Sequence, residues 1–142
     1  MTALAVGDVV ATRSFSIDRD ALVHYAGASG DFNPIHYRDD VAARVGLPGV
    51  LAHGMLTMGI AGSVVAEAVG DAGRITEYGV RFTKPVVVDA EAGAELRVVA
   101  SVGKVEDDGS ARIDLTVTHG ETKVLGKAQA IVRPERQQGS AA

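Results

Sequence analysis

Two side chains able to move protons stand five residues apart in this chain, Asp31 and His36, within the run Ser29-Gly30-Asp31-Phe32-Asn33-Pro34-Ile35-His36. A carboxylate and an imidazole are a common pair for general acid–base work, the imidazole because free histidine titrates near neutrality. Further on, Ala52-His53-Gly54-Met55 opens an apolar segment. If that segment is a helix, the Gly54 amide sits at its N-terminus, where unpaired N–H groups and the helix field favour developing negative charge. The three together supply two proton-transfer groups and one anion-stabilising donor.

For those groups to meet, the chain must bend between Asp31 and His36. Pro34 disfavours helical angles at Asn33, so this segment runs extended or turned. A turn broken at Asn33-Pro34 can bring Asp31 and His36 towards one cavity, where a continuing helix would place them on different faces. Upstream, residues 6–15 read as a turn and short strand, and Ser16 as the N-cap of a helix carrying Ile17, Ala21, Tyr25 and Ala28 at helical spacing. Gly27 and Gly30 let that helix end. A short helix follows from Arg38 to Val45, with Gly46 just past it.

A second long helix is expected from near His53 to about Val69, with a stripe of Leu56, Ile60, Val64 and Ala68. No charge falls between Gly54 and Ala66, and a helix apolar all round is expected to be buried on all sides. After Gly73 the period changes to two. Tyr78, Val80 and Phe82 form one set, Leu96 to Val102 a second, Ala111 to Val117 a third, and Val124, Gly126, Ala128, Ala130 and Val132 a fourth. Hairpin turns fall at Glu106-Asp107-Asp108-Gly109 and His119-Gly120-Glu121-Thr122. The pattern predicts an α+β fold in which an antiparallel meander covers one long apolar helix. Its open sheet edges, with Leu125 and Ile131 on the second face, point to a partner subunit.

With 142 residues, 46% apolar and 23% charged, the chain fits one globular domain over residues 1–132 followed by a flexible tail at 133–142. A net charge of -4 without a basic block argues against nucleic-acid binding. The absence of cysteine excludes disulfides and thiolate chemistry, and suits a cytoplasmic location. No leader is expected in Met1–Val10, and no membrane span, since the longest weakly polar run is too short. Asp31 to Ile35 departs from a calcium loop at its third ligand, no HExxH occurs, and Gly62-Ser63 lacks the glycines of a nucleophile elbow. No metal and no cofactor is expected.

The run from Tyr25 to His36, followed by Ala52-His53-Gly54-Met55, resembles the MaoC-like (R)-specific enoyl hydratase/dehydratase family, and most of all the catalytic subunits of (3R)-hydroxyacyl-ACP dehydratases. The likeness extends from about Val6 to Val132. It implies a hot-dog fold, a curved sheet wrapped around a central helix, with two such units side by side as a homodimer or a heterodimer. It implies reversible conversion of trans-2-enoyl and (3R)-3-hydroxyacyl thioesters of ACP or CoA. Asp31 and His36 would be the catalytic pair, and the Gly54 amide would polarise the thioester carbonyl. The residues alone leave open which of the pair meets the C2 proton, with His36 favoured in the hydration direction.

Asn33, His53, Met55, Arg81 and Lys84 would contact the substrate, the last two through a phosphopantetheine or an acidic carrier. Some relatives carry a serine at the position of Gly62. Here Ser63 stands next to it and is the candidate for a supporting hydrogen bond. Each residue also has a plainer reading. Asp31 can cap its own turn, His53 can begin the helix, Met55 can fill core, and Arg81 and Lys84 can be solvated sheet-edge residues. His24 and His119 read as structural. Two rivals stay open: a hot-dog thioesterase, disfavoured because no acid follows Gly54 until Glu67, and a non-catalytic acyl-binding subunit, which would be expected to lack the Asp31–His36 pair.

Overall fold

The computed structural model describes residues 3–136, so the last six residues of the expected tail lie outside the described residues. Residues 133–136 follow the last strand without regular structure and are exposed.

The first strand, β1 (Val9–Ile17), runs two residues further than its sequence suggests. Ser16 is paired with Glu95 in the sheet ladder and does not cap the next helix. Asp18, the first residue beyond that ladder, takes the role. Its carboxylate accepts from the Ala21 amide at 2.8 Å and opens α1 (Arg19–Ser29), where a negative charge suits the helix end. Gly30 closes α1 with φ 75° and returns its amide to Ala26, a left-handed cap that glycine adopts without strain. A 3-10 turn (Pro34–His36) and α2 (Asp39–Arg44) follow. Arg19 fastens this region, donating to both Asp39 oxygens and to the Val88 carbonyl.

Among the described residues, six strands make one antiparallel sheet. After β1 come β2 (Ile75–Phe82), β3 (Ala94–Val105), β4 (Ala111–His119), β5 (Thr122–Lys123) and β6 (Leu125–Val132). The order is β1-β3-β4-β6-β2, with β5 beside β4. Both expected hairpins form: Glu106 pairs with Ser110 across one turn, and His119 with Thr122 across the other. The meander expectation fails at one point, because β2 lies outside β6 and not next to β3. Residues 83–93 carry the chain back across the sheet, burying Val86 and Val88. They pair with the segment before the long helix, with Ala52 donating to Val86 and Val88 to Val50.

The inward rows of β3, β4 and β6 bury Leu96, Val98, Ala100, Val102, Ile113, Leu115, Val117, Ala128, Ala130 and Val132, as their alternation predicts. Leu125 is a correction. It is buried with this set and not on the second face, because Lys127 takes φ 43° and the β2–β6 register shifts between Gly79 and Arg81. A bulge of this kind reverses the alternation on one side of itself.

The helix α3 (Gly54–Val69) contacts β1, β2, β3, β4 and β6, so the sheet curves round it in the hot-dog arrangement. It is not buried on all sides. Thr57, Ala61, Val64 and Val65 form its buried stripe, Leu56 and Ile60 are half-buried, and Met55, Gly59, Ser63 and Ala68 are exposed. A sheet can cover only one side of a helix, so this apolar sequence leaves an open face on the single chain.

Candidate active site

Consecutive side-chain turns build the Asp31–His36 segment. The Ser29 hydroxyl accepts from the Asp31 amide, the Asp31 carboxylate from the Asn33 amide at 3.1 Å, and Asn33 from the Ile35 amide at 3.2 Å. Such Asx-type bonds hold a chain in turns where Pro34 forbids a helix. The result brings Asp31 Oδ2 to 3.8 Å from His36 Nε2. Asp31 thus caps its turn with one oxygen and faces His36 with the other.

The segment Leu51–His53 lies against this turn, and the two are cross-tied. His36 Nδ1 is 2.7 Å from the Leu51 carbonyl, His53 Nε2 is 3.1 Å from the Asp31 carbonyl, and the Leu51 amide donates to Ile35. A carbonyl can only accept, so Nδ1 of His36 carries the hydrogen in that bond, and in the neutral ring its Nε2 presents a lone pair towards Asp31. The His36 and His53 rings stack at 3.8 Å with 22° between planes, and Tyr25 of α1 meets His53 edge-on at 4.8 Å.

Directly after His53, α3 begins. Gly54 is its first residue, and no side chain caps that end. The first amides of a helix have no intrahelical acceptor, so the Gly54 N–H is a free donor in the helix field. A cavity of about 340 Å³ opens beside it, walled by His36, Leu51, Gly54, Thr57, Phe82 and Lys84, with Val86, Val124 and Leu125 beneath. The Phe82 ring lies so close to Gly54 that a Cβ there would stand 3.0 Å from it.

Of the expected residues the cavity wall holds His36, Gly54 and Lys84, and Asp31 stands off that wall with its carboxylate 3.8 Å from His36. The others stand elsewhere. Asn33 spends its side-chain oxygen on Ile35. His53 is buried behind His36 and is not on the cavity wall. Met55 and Arg81 are exposed and off that wall. Ser63 is exposed, and its hydroxyl donates to Ile60 one helical turn back. Beside Gly62 stands the Tyr78 ring, which a Cβ on Gly62 would meet at 2.7 Å. Its hydroxyl donates to the Met58 carbonyl at 2.6 Å, and burial pushes the Tyr78 phenol up to about 12.

Thr57, Phe82, Tyr25 and the Leu51 carbonyl belong to the site without having been singled out. Thr57 carried one usable signal, as one of two hydroxyl side chains in an apolar helix, a single turn after Gly54. Asp31, His36 and His53 form a group whose candidate ligand atoms lie within 4.8 Å of one another. Their fit to a metal is poor, because nearly parallel stacked rings send their in-plane lone pairs along separate lines.

A family model described as a MaoC-like domain matches residues 2–124. The match stops just short of β6, which nonetheless lies inside the sheet between β4 and β2. The chain is 44% identical over 69 residues to 3-hydroxyacyl-thioester dehydratase X of Mycobacterium tuberculosis, covering 49% of this chain and 24% of that protein. It superposes on a solved MaoC-like dehydratase with a TM-score of 0.90 and 34% identity, over 93% of this chain and 41% of the other. With an unliganded R-hydratase of Pseudomonas aeruginosa the TM-score is 0.74 and the identity 29%, over 93% and 83%. The chain thus spans about a quarter of the curated dehydratase it matches.

Proposed function

This chain belongs to the MaoC-like domain family, and from that membership and the geometry of the site we propose that it is a hydro-lyase interconverting trans-2-enoyl and (3R)-3-hydroxyacyl thioesters. The observation that supports the reading is a cavity walled by His36 and by Gly54 at the start of α3, with the Asp31 carboxylate 3.8 Å from His36 Nε2.

An oxygen atom about 2.8 Å from each of two groups 3.8 Å apart subtends roughly 85° between them, so one water or one 3-hydroxyl can be held by His36 Nε2 and Asp31 Oδ2 together. In the hydration direction the Asp31 carboxylate takes a proton from that water as its oxygen bonds to C3. The C2–C3 π electrons move towards the thioester, whose carbonyl oxygen gains charge opposite the Gly54 N–H. Protonated His36 then delivers its proton to C2, the enolate electrons form the C2–H bond, and Asp31 passes its proton back to His36. Dehydration runs the same steps in reverse. Charge gathers and disperses at the carbonyl oxygen, which is where a pre-oriented donor is most effective.

Lys84 on the wall favours a substrate with an anionic carrier, CoA or ACP. The β2 edge of the sheet, with the open face of α3 beside it, favours a second hot-dog subunit, identical or different. The thioesterase rival is disfavoured because α3 carries no acid before Glu67. Glu67, the first after Gly54, is exposed and pairs with Arg13 at 3.3 Å.

The test follows loss of enoyl-thioester ultraviolet absorbance on short and long trans-2-enoyl-CoA and acyl-ACP substrates. Asp31→Asn and His36→Ala, each confirmed folded, are expected to lower turnover by about 10²–10⁴-fold. Unchanged turnover in either variant refutes its assigned role.

A further inference from the structure

His53 belongs to the substrate path in the sequence reading, yet its side chain is almost wholly buried, at 1% exposure. It touches the site from behind. Nε2 faces the Asp31 carbonyl at 3.1 Å, so that nitrogen carries the hydrogen of the bond. One ring face lies on His36, and Tyr25 packs against the edge. The next residue is Gly54. One side chain is therefore in contact with the backbone of the carboxylate, with the ring of the imidazole, and with the start of the oxyanion helix.

Nδ1 of His53 is buried and has no hydrogen-bond partner among the described residues. A buried polar atom left unpaired is unfavourable, so packing alone would be better served by a phenyl ring. What the imidazole adds over a phenyl is one N–H aimed at the Asp31 backbone. We propose that His53 is a positioning residue that holds Asp31 and His36 in register with the Gly54 amide, through its Nε2–H bond to the Asp31 carbonyl and its stack on His36, without contacting substrate. Its effect on turnover rests on the hydratase reading; its effect on His36 does not.

The test has two arms. In the first, imidazole ¹⁵N–¹H NMR of the wild-type protein is expected to show His53 with its hydrogen on Nε2 and His36 with its hydrogen on Nδ1, both slow to exchange. His53 carrying its hydrogen on Nδ1 overturns the proposal. In folded His53→Phe, which keeps a ring but loses the donor, the His36 Nδ1–H signal is expected to shift and exchange faster, and an unchanged signal overturns the proposal.

In the second arm, His53→Phe is expected to lower kcat about 10²-fold, as misplacement of reacting groups by about an ångström does, with KM within about threefold. His53→Gln, which can restore a donor near the Nε2 position, is expected to recover about tenfold of that loss. A raised KM with unchanged kcat would make His53 a substrate-binding residue, and activity falling only with the folded fraction would make it structural. Either result overturns the proposal. If wild type is inactive on every enoyl thioester, the hydratase reading fails and the NMR arm still decides the role of His53. If His53→Phe does not fold, the wild-type spectrum and His53→Gln decide it.

Discussion

The Gly54 amide can be removed with little else changed, because of where it sits. Gly54 is the first residue of α3, so its N–H makes no intrahelical bond and proline there deletes none. His53 before it already has φ -58° and ψ 130°, the extended polyproline-like geometry that a residue before proline adopts. Gly54→Pro therefore keeps the helix start and deletes the donor. The side effect is steric: a Cβ at position 54 stands 3.0 Å from Phe82 Cε1 and 3.1 Å from Cδ1. Phe82 is 55% exposed, so its ring has solvent to swing into.

Gly54→Ala carries the same Cβ and keeps the N–H. The ratio of the two variants thus isolates the donor from the crowding. One oxyanion donor contributes about 2.7–4 kcal/mol, which is about 10²–10³ in kcat. In steady-state hydration of a trans-2-enoyl thioester, Gly54→Pro is expected to fall below Gly54→Ala by that factor, with both melting within a few degrees of wild type. A proline variant within about threefold of the alanine variant would show that the carbonyl oxygen draws its stabilisation from elsewhere, and the assignment of Gly54 would fail.

Two further outcomes test the framework around the site. Gly62→Ala drives a Cβ to 2.7 Å from a Tyr78 ring tethered through its hydroxyl to Met58. The overpacking is expected to cost about 1–3 kcal/mol in denaturant melts, and less in a Tyr78→Phe background where the ring is untethered; strict additivity refutes that coupling. Acid stability should reflect Asp39, Asp40, Asp89 and Asp108, whose carboxyls are held below the usual range by hydrogen bonds from Arg19, from Arg38, from the Ala92 and Glu91 amides, and from Ser110 respectively. Their folded-state pKa values lie below the unfolded ones, so the unfolded chain binds protons first as pH falls. The stabilisation is complete above pH about 4 and is lost as pH drops through the lowered values. The Tm is expected to stay flat from about pH 7 to 5 and to fall below about 4, less steeply in Arg19→Met. An equal slope in Arg19→Met would remove Asp39 from the account.

What could be read from sequence follows the range of the interactions that decide it. The rows of β3 and β4 alternate strictly and are buried as their pattern says, because period two is a local property. Leu125 was misplaced because a single residue, Lys127 at φ 43°, breaks that period without any proline or glycine at its own position. The place of β2 beyond β6 rests on the crossing of residues 83–93, which is held by bonds to Val50 and Ala52 more than thirty residues earlier. No local pattern encodes that. The open face of α3 was invisible for another reason: an apolar helix face has the same sequence whether it meets its own sheet or lies open.

The site divides along the same line. Asp31 and His36 could be paired from sequence because the turn that brings them together is made by its own residues, Ser29 to Ile35, each bond spanning two positions. The Gly54 amide could be inferred because a helix start is a local event. How the two segments meet was not legible. It depends on the His36 bond to Leu51 across 15 residues, the His53 bond to Asp31 across 22, and the stack between the rings. Each histidine reaches the backbone of the other's segment, so neither segment can shift without the other. The proposed catalytic turn and the proposed oxyanion helix, made separately, would each be free to drift by more than the distance general acid–base chemistry tolerates. The reciprocal tie restricts that freedom, which is the role proposed for His53 on the backbone behind the cavity.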